Sequence, residues 1–367
     1  MAAWTEGEYA GGARVGPIEA TPEEYMVTGS NEANEFPWLT GLAQRWHRRR
    51  TFGARNLPSA GELAARKLAS GERISVVLPA LNEAATIGPI CSTIQRRLME
   101  RTGLVDELLV VDCASDDGTP DIAADAGATV HDVSDLVPEM PVVRGKGEAL
   151  WRSLSVVHGD IVVWVDSDIR NFSTRFVTRL VAPILTDPTV SYVKGFYRRP
   201  VARGEELIAD EGGRVTELLA RPMLAALFPE LSGIVQPLAG EYAGHIDILK
   251  RIPFFTGYSV EIGLLIDLLD AVGLDAMAQV DLDERVHRNR PLTELSPMAY
   301  AIGKTILRRA EERGRIRSVL DVPLAPLLRP SPDGIVVENV QELERPPMES
   351  IGTDHEPVEP ERRAASR

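Results

Sequence analysis

The stretch IVVWVDSD, Ile161–Asp168, is a run of β-formers that ends at two carboxylates one residue apart. Val and Ile without polar alternation mark a strand buried on both faces, as at the centre of an α/β sheet, and such sheets bind ligands outside the carboxyl ends of their strands. Asp166 and Asp168 fall at that end. As hard oxygen donors they suit a Mg2+-type ion, whose shell is ordinarily completed by water and substrate phosphates. A D-x-D pair also occurs as a plain Asp-rich turn, so the two readings are separated only by the rest of the chain.

The flanking pattern supports the sheet. From Arg73, ISVVLPALNE reads as a strand entering a Pro-containing turn, AATIGPICSTIQRRL as a helix, ELLVVD as a second strand, SDDGTPDIAADAG as a short capped helix and ATVHDV as a third strand. GKGEALWRSLSVV opens another helix before the IVVWVDSD strand. This alternation predicts βαβ units and a mainly parallel sheet, an α/β fold. Beyond Asp168 the pattern is mixed: helix TRFVTRLVAPIL, strand SYVKGFYRR, one long amphipathic helix GGRVTELLARPMLAALFPEL, helix SVEIGLLIDLLDAVGL, strand AMAQVDLDERVH and helix SPMAYAIGKTILRRAEERG. The chain divides into a partly helical extension (1–72), a first half (73–168), a second half (169–325) and a Pro-, Glu- and Arg-rich tail (326–367). That tail reads as largely flexible, with a short ordered piece around Gly334 to Val340.

Several function classes are excluded. A formal charge of −14 argues against a nucleic-acid surface and requires any anion site to concentrate its cations locally. RWHRRR, Arg45 to Arg50, reads as a solvated helix face more readily than as a phosphate contact. Cys91 and Cys113 have neither C-x-x-C spacing nor the number for a disulfide framework, so they read as reduced thiols of a cytoplasmic protein. No basic n-region with an apolar h-region opens the chain, and no uniformly apolar membrane-length stretch follows; neither secretion nor membrane spanning is expected. The first strand is followed by no G-x-G-x-x-G, and there is no G-x-x-x-x-G-K-[ST], which counts against dinucleotide oxidoreductases and P-loop NTPases.

At the same sheet edge lies Pro79-Ala80-Leu81-Asn82-Glu83, where Asn82 and Glu83 could bond a base or ribose, or Asn82 could cap the next helix. Asp112, before Cys113, Ala114 and Ser115, could accept from a ligand or hold its own turn. Gly145-Lys146-Gly147 puts an ammonium between two glycines at a helix start, suited to phosphate or a sugar hydroxyl, or else a surface lysine.

In this order, LPALNE, VVDCASDDGT, GKGEAL and VDSD resemble a nucleotide-sugar glycosyltransferase of the GT-A fold, Rossmann-like with a helical C-terminal acceptor part. Downstream, VKGFYRRP, GGRVTELLARPMLAAL, QPLAGEYA, GYSVEIGLLID, LDAMAQV and VHRNRPL narrow the resemblance to the glucosyl- and mannosyl-3-phosphoglycerate synthases, retaining transferases of glycosyltransferase family 81. It covers about residues 73 to 305. The resemblance implies transfer of glucose or mannose from UDP-glucose or GDP-mannose to 3-phosphoglycerate, with Mg2+ (or Mn2+ or Co2+), in a homodimer. It places Pro79, Ala80, Leu81 and Glu83 around the nucleoside, with Ser115, Lys146, Asp166, Ser167 and Arg285 around the donor. Asp168 and His287 hold the metal, and Gly213, Arg214 and Thr216 bind the acceptor phosphate. Tyr258, counted with the donor contacts, closes the pocket with Asn289 of the acceptor side. The backbone carbonyl of Leu238 lies near the anomeric carbon, and Glu261 contacts a reacting hydroxyl or the sugar. Without the family, His287 reads as a structural histidine, Arg214 as a helix-flank ion pair and Glu261 as a first-turn acid that favours the helix dipole. Ala84, where many relatives carry an acid, and Cys113-Ala114, in place of a Ser-Gly pair, depart from the pattern. Two alternatives are a polyprenyl-phosphate sugar transferase of the same fold and a nucleotide-sugar-binding regulator without turnover.

Overall fold

The computed structural model describes residues 37–54, 57–198, 201–203, 206–208, 213–286, 292–316, 327–331, 334–338 and 343–351. Its centre is an eight-stranded sheet. In chain order the strands are β1 (Thr51–Phe52), β2 (Ile74–Ala80), β3 (Glu107–Asp112), β4 (Thr129–Asp132), β5 (Ile161–Trp164), β6 (Tyr192–Arg198), β7 (Tyr242–His245) and β8 (Met277–Glu284). Their order across the sheet is β1-β8-β6-β7-β5-β2-β3-β4. All neighbours are parallel except β7, which runs antiparallel to both β5 and β6. The pattern reading did not find β7: four residues with an internal glycine are too short to show a period.

The main helices are α1 (Pro37–Arg50), α2 (Ala60–Ser70), α3 (Ile87–Ile94), α4 (Thr119–Asp125), α5 (Lys146–Ser153), α6 (Arg175–Thr186), α7 (Arg221–Leu227), α8 (Val260–Val272) and α9 (Leu292–Glu312). Alternation along the strands builds two cores. Ile161 and Val163 pack with Val76, Leu78 and Val110 against α3 and α6, whereas Val162 and Trp164 pack with Val77, Leu109 and Val111 toward α5 and α8. Every residue of β5 is buried, as its unbroken apolar run requires.

The segment expected to be one long helix from Gly212 is broken. A π turn at Thr216–Ala220 precedes α7, and a 3-10 turn at Pro229–Gly233 follows it. Pro222 has no N–H to offer Leu218 and its ring crowds that carbonyl, so the preceding turn widens and the Arg221 N–H reaches back to Thr216 O.

Among the described residues before Arg73, β1 and part of α1 belong to the sheet and its packing. β1 extends the edge beside β8, and Trp46 of α1, 3% exposed, donates its indole N–H to Leu274 O at 2.8 Å. Arg50, at the end of the basic patch, is buried on Asp187 (2.7 Å) and Thr189 (2.9 Å) and so is no solvated residue, while Arg48 and Arg49 are exposed. In the C-terminal stretch, Leu327–Ser331 and Gly334–Glu338 form a hairpin, and Glu344–Arg345 pairs antiparallel with Phe254–Phe255.

If α1 is held by its indole, Trp46→Ala should cost about 3 to 5 kcal/mol, the usual loss for a buried large aromatic, read as a lowered urea midpoint with an unchanged slope. A loss below about 1 kcal/mol would mean that α1 is peripheral to the fold.

Candidate active site

The strand order turns around between β2 and β5: β3 and β4 continue to one side of β2, and β5 with the rest lies on the other. A crevice therefore opens at the carboxyl ends of β2 and β5. It widens into a cavity of about 580 Å3, in the range of small-ligand sites.

One wall is the turn after β2. Asn82 sits at φ 58° and does not cap α3: its N–H donates to Ser115 Oγ (2.9 Å) and its Oδ1 accepts from the Asp116 N–H (3.0 Å). Ser115 is held in turn by Asp112, which accepts its N–H (2.9 Å) and its hydroxyl (2.6 Å). Ala114, at φ 64°, occupies left-handed backbone that costs an L-residue about 1–2 kcal/mol and that glycine would relieve. Ser167 donates to Pro79 O (2.7 Å), tying the β5 end to the β2 end.

The centre is an ion network. Asp166 accepts Lys146 on Oδ1 (2.5 Å) and Arg285 on Oδ2 (2.9 Å). Lys146 also reaches Glu261 (2.9 Å), while Arg285 reaches Asp168 (2.5 Å) and Glu241 (2.8 Å) and donates to the Tyr197 hydroxyl (2.8 Å). Burial opposes charge on Asp166, Lys146, Arg285 and Glu241. For Asp166 it is outweighed by Lys146 and Arg285, which hold the carboxyl well below its usual range; for Lys146 it is outweighed by Asp166 and Glu261, which hold the ammonium protonated. Glu241, fully buried, is pushed up by burial, and Glu83 is pushed up by burial and then by Asp168. Gly240 admits no side chain: a Cβ there would lie 2.2 Å from Asp166 Oδ2 and 2.5 Å from Lys146 Nζ. The glycines flanking Lys146 serve packing, since a Cβ on Gly145 would meet Thr256 O at 2.3 Å and one on Gly147 would meet Phe255 O at 1.8 Å.

Beneath the network lies Lys194 of β6, 1% exposed, its Nζ over the Tyr242 ring at 4.3 Å and without a hydrogen-bond acceptor among the described residues. Burial pushes it down to about 7 against the pull of Glu261.

The other wall is the start of the broken helix. Gly213, at φ 87°, turns the chain so that Arg214 and Thr216 line the cavity, and Gly213 O takes the Glu217 N–H (3.0 Å).

The cavity thus brings together Pro79, Ala80, Leu81, Glu83, Lys146, Asp166, Ser167, Asp168, Gly213, Arg214, Thr216, Leu238, Tyr258, Glu261 and Arg285. Ser115 does not line it and holds the adjacent turn. His287 and Asn289 lie outside the described residues. Lining residues that sequence reasoning missed include Arg144, Val215, Gly240 and the α9 stripe Leu295, Met298 and Ile302. The stripe's helical spacing could have disclosed it; Gly240 gave no signal.

The Glycosyl transferase family 2 model matches residues 75–237. The chain is 42% identical over 306 residues to a glucosyl-3-phosphoglycerate synthase of Petrotoga mobilis, covering 83% of this chain and 94% of the relative. The chain belongs to the glucosyl-3-phosphoglycerate synthase family. It is a glycosyltransferase of GT-A fold. Its solved neighbours include mannosyl-3-phosphoglycerate synthase from Rubrobacter xylanophilus, with TM-score 0.76 and 41% identity, covering 84% of this chain and 98% of that one. Glucosyl-3-phosphoglycerate synthase from Mycobacterium tuberculosis, solved with Mn2+, UDP and glucosyl-3-phosphoglycerate, gives TM-score 0.72 and 45% identity over 83% of this chain and 99% of that one. The same protein has also been solved with Mg2+ and UDP.

Lys194 supplies a pH test for this glycosyltransferase's core. Unfolded, the lysine keeps its proton to about 10.5; folded, it gives it up above about 7, so stability falls as pH drops from 10.5 to 7 and then levels off. Lys194→Met should raise stability at pH 7 by on the order of a few kcal/mol, a gain that shrinks toward about pH 9. A gain equal at both pH values, or a loss, would mean that Glu261 keeps the ammonium charged.

Proposed function

We propose that this glycosyltransferase moves glucose or mannose from UDP-glucose or GDP-mannose to 3-phosphoglycerate, with retention at the anomeric carbon. The carrying observation is one cavity with two anion-handling walls. Lys146, Asp166, Asp168 and Arg285 converge on one; Gly213, Arg214 and Thr216 head a helix on the other. The relatives' names support both substrates.

On the donor side, Pro79, Ala80 and Leu81 offer an apolar face to the nucleoside and Glu83 an acceptor. In the ion network Asp166, Asp168, Glu241 and Glu261 share Lys146 and Arg285, and Glu83, pushed up first by burial, also feels Asp168. Hard oxygen donors in such a field fit a Mg2+-type ion, with Mn2+ or Co2+ as substitutes. Asp168, with His287 by family resemblance, would hold it. When bound, a divalent cation neutralises charge on the departing diphosphate. Lys146 and Arg285 add fixed positive charge there, preorganised by their carboxylates.

On the acceptor side, the Arg214 guanidinium, the Thr216 hydroxyl and the N–H groups of a helix start would make a phosphate cradle, joined by Asn289 on the family resemblance alone. Tyr258, 40% exposed, lines the cavity and would close its mouth. The acceptor hydroxyl attacks on the face that the diphosphate vacates and passes its proton to a diphosphate oxygen. The Leu238 carbonyl faces the positive charge developing at the anomeric carbon, and Glu261, fixed by Lys146, orients the sugar. No side-chain nucleophile is required.

The test is turnover of each nucleotide sugar with and without 3-phosphoglycerate, with the product's anomeric configuration read by NMR. Transfer to a polyprenyl phosphate but not to 3-phosphoglycerate would overturn the reading. Arg214→Ala should raise the KM for 3-phosphoglycerate about 10- to 150-fold, the worth of a bond to a charged group. Arg214→Lys should recover only part, keeping the charge without the planar fork. An unchanged KM would move the phosphate site elsewhere.

A further inference from the structure

Lys146 and Glu261 open two different helices, α5 and α8, yet meet at 2.9 Å in the cavity. Both helices press on the two-residue strand Phe254–Phe255. On the α5 side, the Glu148 N–H donates to Thr256 O (2.9 Å), and Gly145 and Gly147 are stacked on the Thr256 and Phe255 carbonyls. On the α8 side, the Phe255 ring lies against Gly263, where a Cβ would come within 2.5 Å of it. The strand is thus the joint between the two halves of the ion pair.

The C-terminal segment Leu343–Ile351 is bound to that joint and lines no part of the cavity. Its backbone pairs with Phe254–Phe255, and Leu343 O accepts the Thr256 N–H (3.0 Å). Adjacent strand residues point to opposite faces. Arg345 reaches α5: its guanidinium forks onto the buried Glu148 through Nε (2.8 Å) and Nη2 (2.8 Å), beside Arg152 on the same carboxylate (2.7 Å). Pro346 O accepts the Trp151 indole N–H of α5 (2.8 Å). Glu344 reaches the other way, to Arg308 and Arg309 of α9, and Arg309 bonds Asp267 of α8 (2.9 Å).

We propose that Leu343–Ile351 is a positioning strap for the reaction centre: Arg345, through Glu148, and Glu344, through Arg309 and Asp267, fix α5 and α8 so that Lys146 meets Glu261. The proposal rests on the reading that Lys146 holds the donor, and it makes Glu344 and Arg345 positioning residues outside the cavity. Ion pairs on surface loops are ordinarily dispensable, but the Arg345–Glu148 pair is 6% and 1% exposed and acts on the helix turn that carries Lys146.

The test compares full-length Arg345→Ala with Met348→Ala, a strap residue that is 3% exposed and belongs to the core, with no polar link to α5. Arg345→Ala should lower kcat about 10- to 100-fold, as small misplacements of a reacting group do, with the KM for 3-phosphoglycerate within about twofold of wild type. Arg345→Lys should recover part of kcat. Met348→Ala should lower the unfolding temperature while holding kcat within about threefold. Hydrogen exchange across residues 143–150 should speed up in Arg345→Ala and not in Met348→Ala. If Arg345→Ala is recovered unfolded, Glu344→Gln serves in its place with the same expected split. Equal kcat losses in the strap variants at matched stability, or unchanged kcat and exchange in Arg345→Ala, would overturn the proposal. Because hydrogen exchange needs no substrate, a wild type that fails to use 3-phosphoglycerate would overturn the acceptor reading and leave the strap to be judged on exchange alone.

Discussion

The 2.5 Å contact between Lys146 and Asp166 is the constraint on which the rest of the site depends. It joins a helix start to a strand end across the sheet edge, and Arg285 closes it on the other carboxylate oxygen (2.9 Å). With its side chains 18% and 20% exposed, the pair is partly screened, so breaking it from one side should cost less than the roughly 3 to 5 kcal/mol of a fully buried pair. Its geometry sets demands on the neighbours. Gly240 must lack a side chain, β5 must stop at Trp164, and α5 must begin against the Phe255–Thr256 carbonyls.

Such a network is costly to fold and useful to a transferase. Charges fixed by one another before the substrate arrives need no reorganisation when a diphosphate departs. Arg285 and a bound cation would share Asp168: the guanidinium neutralises that carboxylate in the free protein, and substrate phosphates supply the counter-charge when the cation takes it. On the proposed reading, donor and cation would be coupled through one side chain.

Much of this was legible in the sequence because it obeys periodicity. The unbroken apolar run of β5 announced a doubly covered strand, and Asp166, Asp168, Lys146 and the turn after β2 fell at one edge once the sheet was known to be parallel. What stayed hidden has physical causes. β7 is too short to show a period, and Pro222 breaks a helix that amphipathicity alone extends. Asn82 Oδ1 and the Ser115 hydroxyl suit a ligand, yet both bond within the turn they build. The Arg345–Glu148 pair spans 197 positions, and its arginine lies in a stretch whose composition suggests little packing. Ion pairs of that sequence separation leave no local pattern.

The most direct measurement is calorimetric titration of Mn2+ into the protein alone and with UDP or GDP, on wild type and Asp168→Asn. If the cation and the diphosphate meet at Asp168, one of the nucleotides should tighten Mn2+ binding about 5- to 150-fold, the cation should tighten that nucleotide by the same factor, and Asp168→Asn should abolish both effects. Mn2+ affinity that is the same with and without either nucleotide in the wild type would contradict a metal-bridged diphosphate at this edge of the sheet.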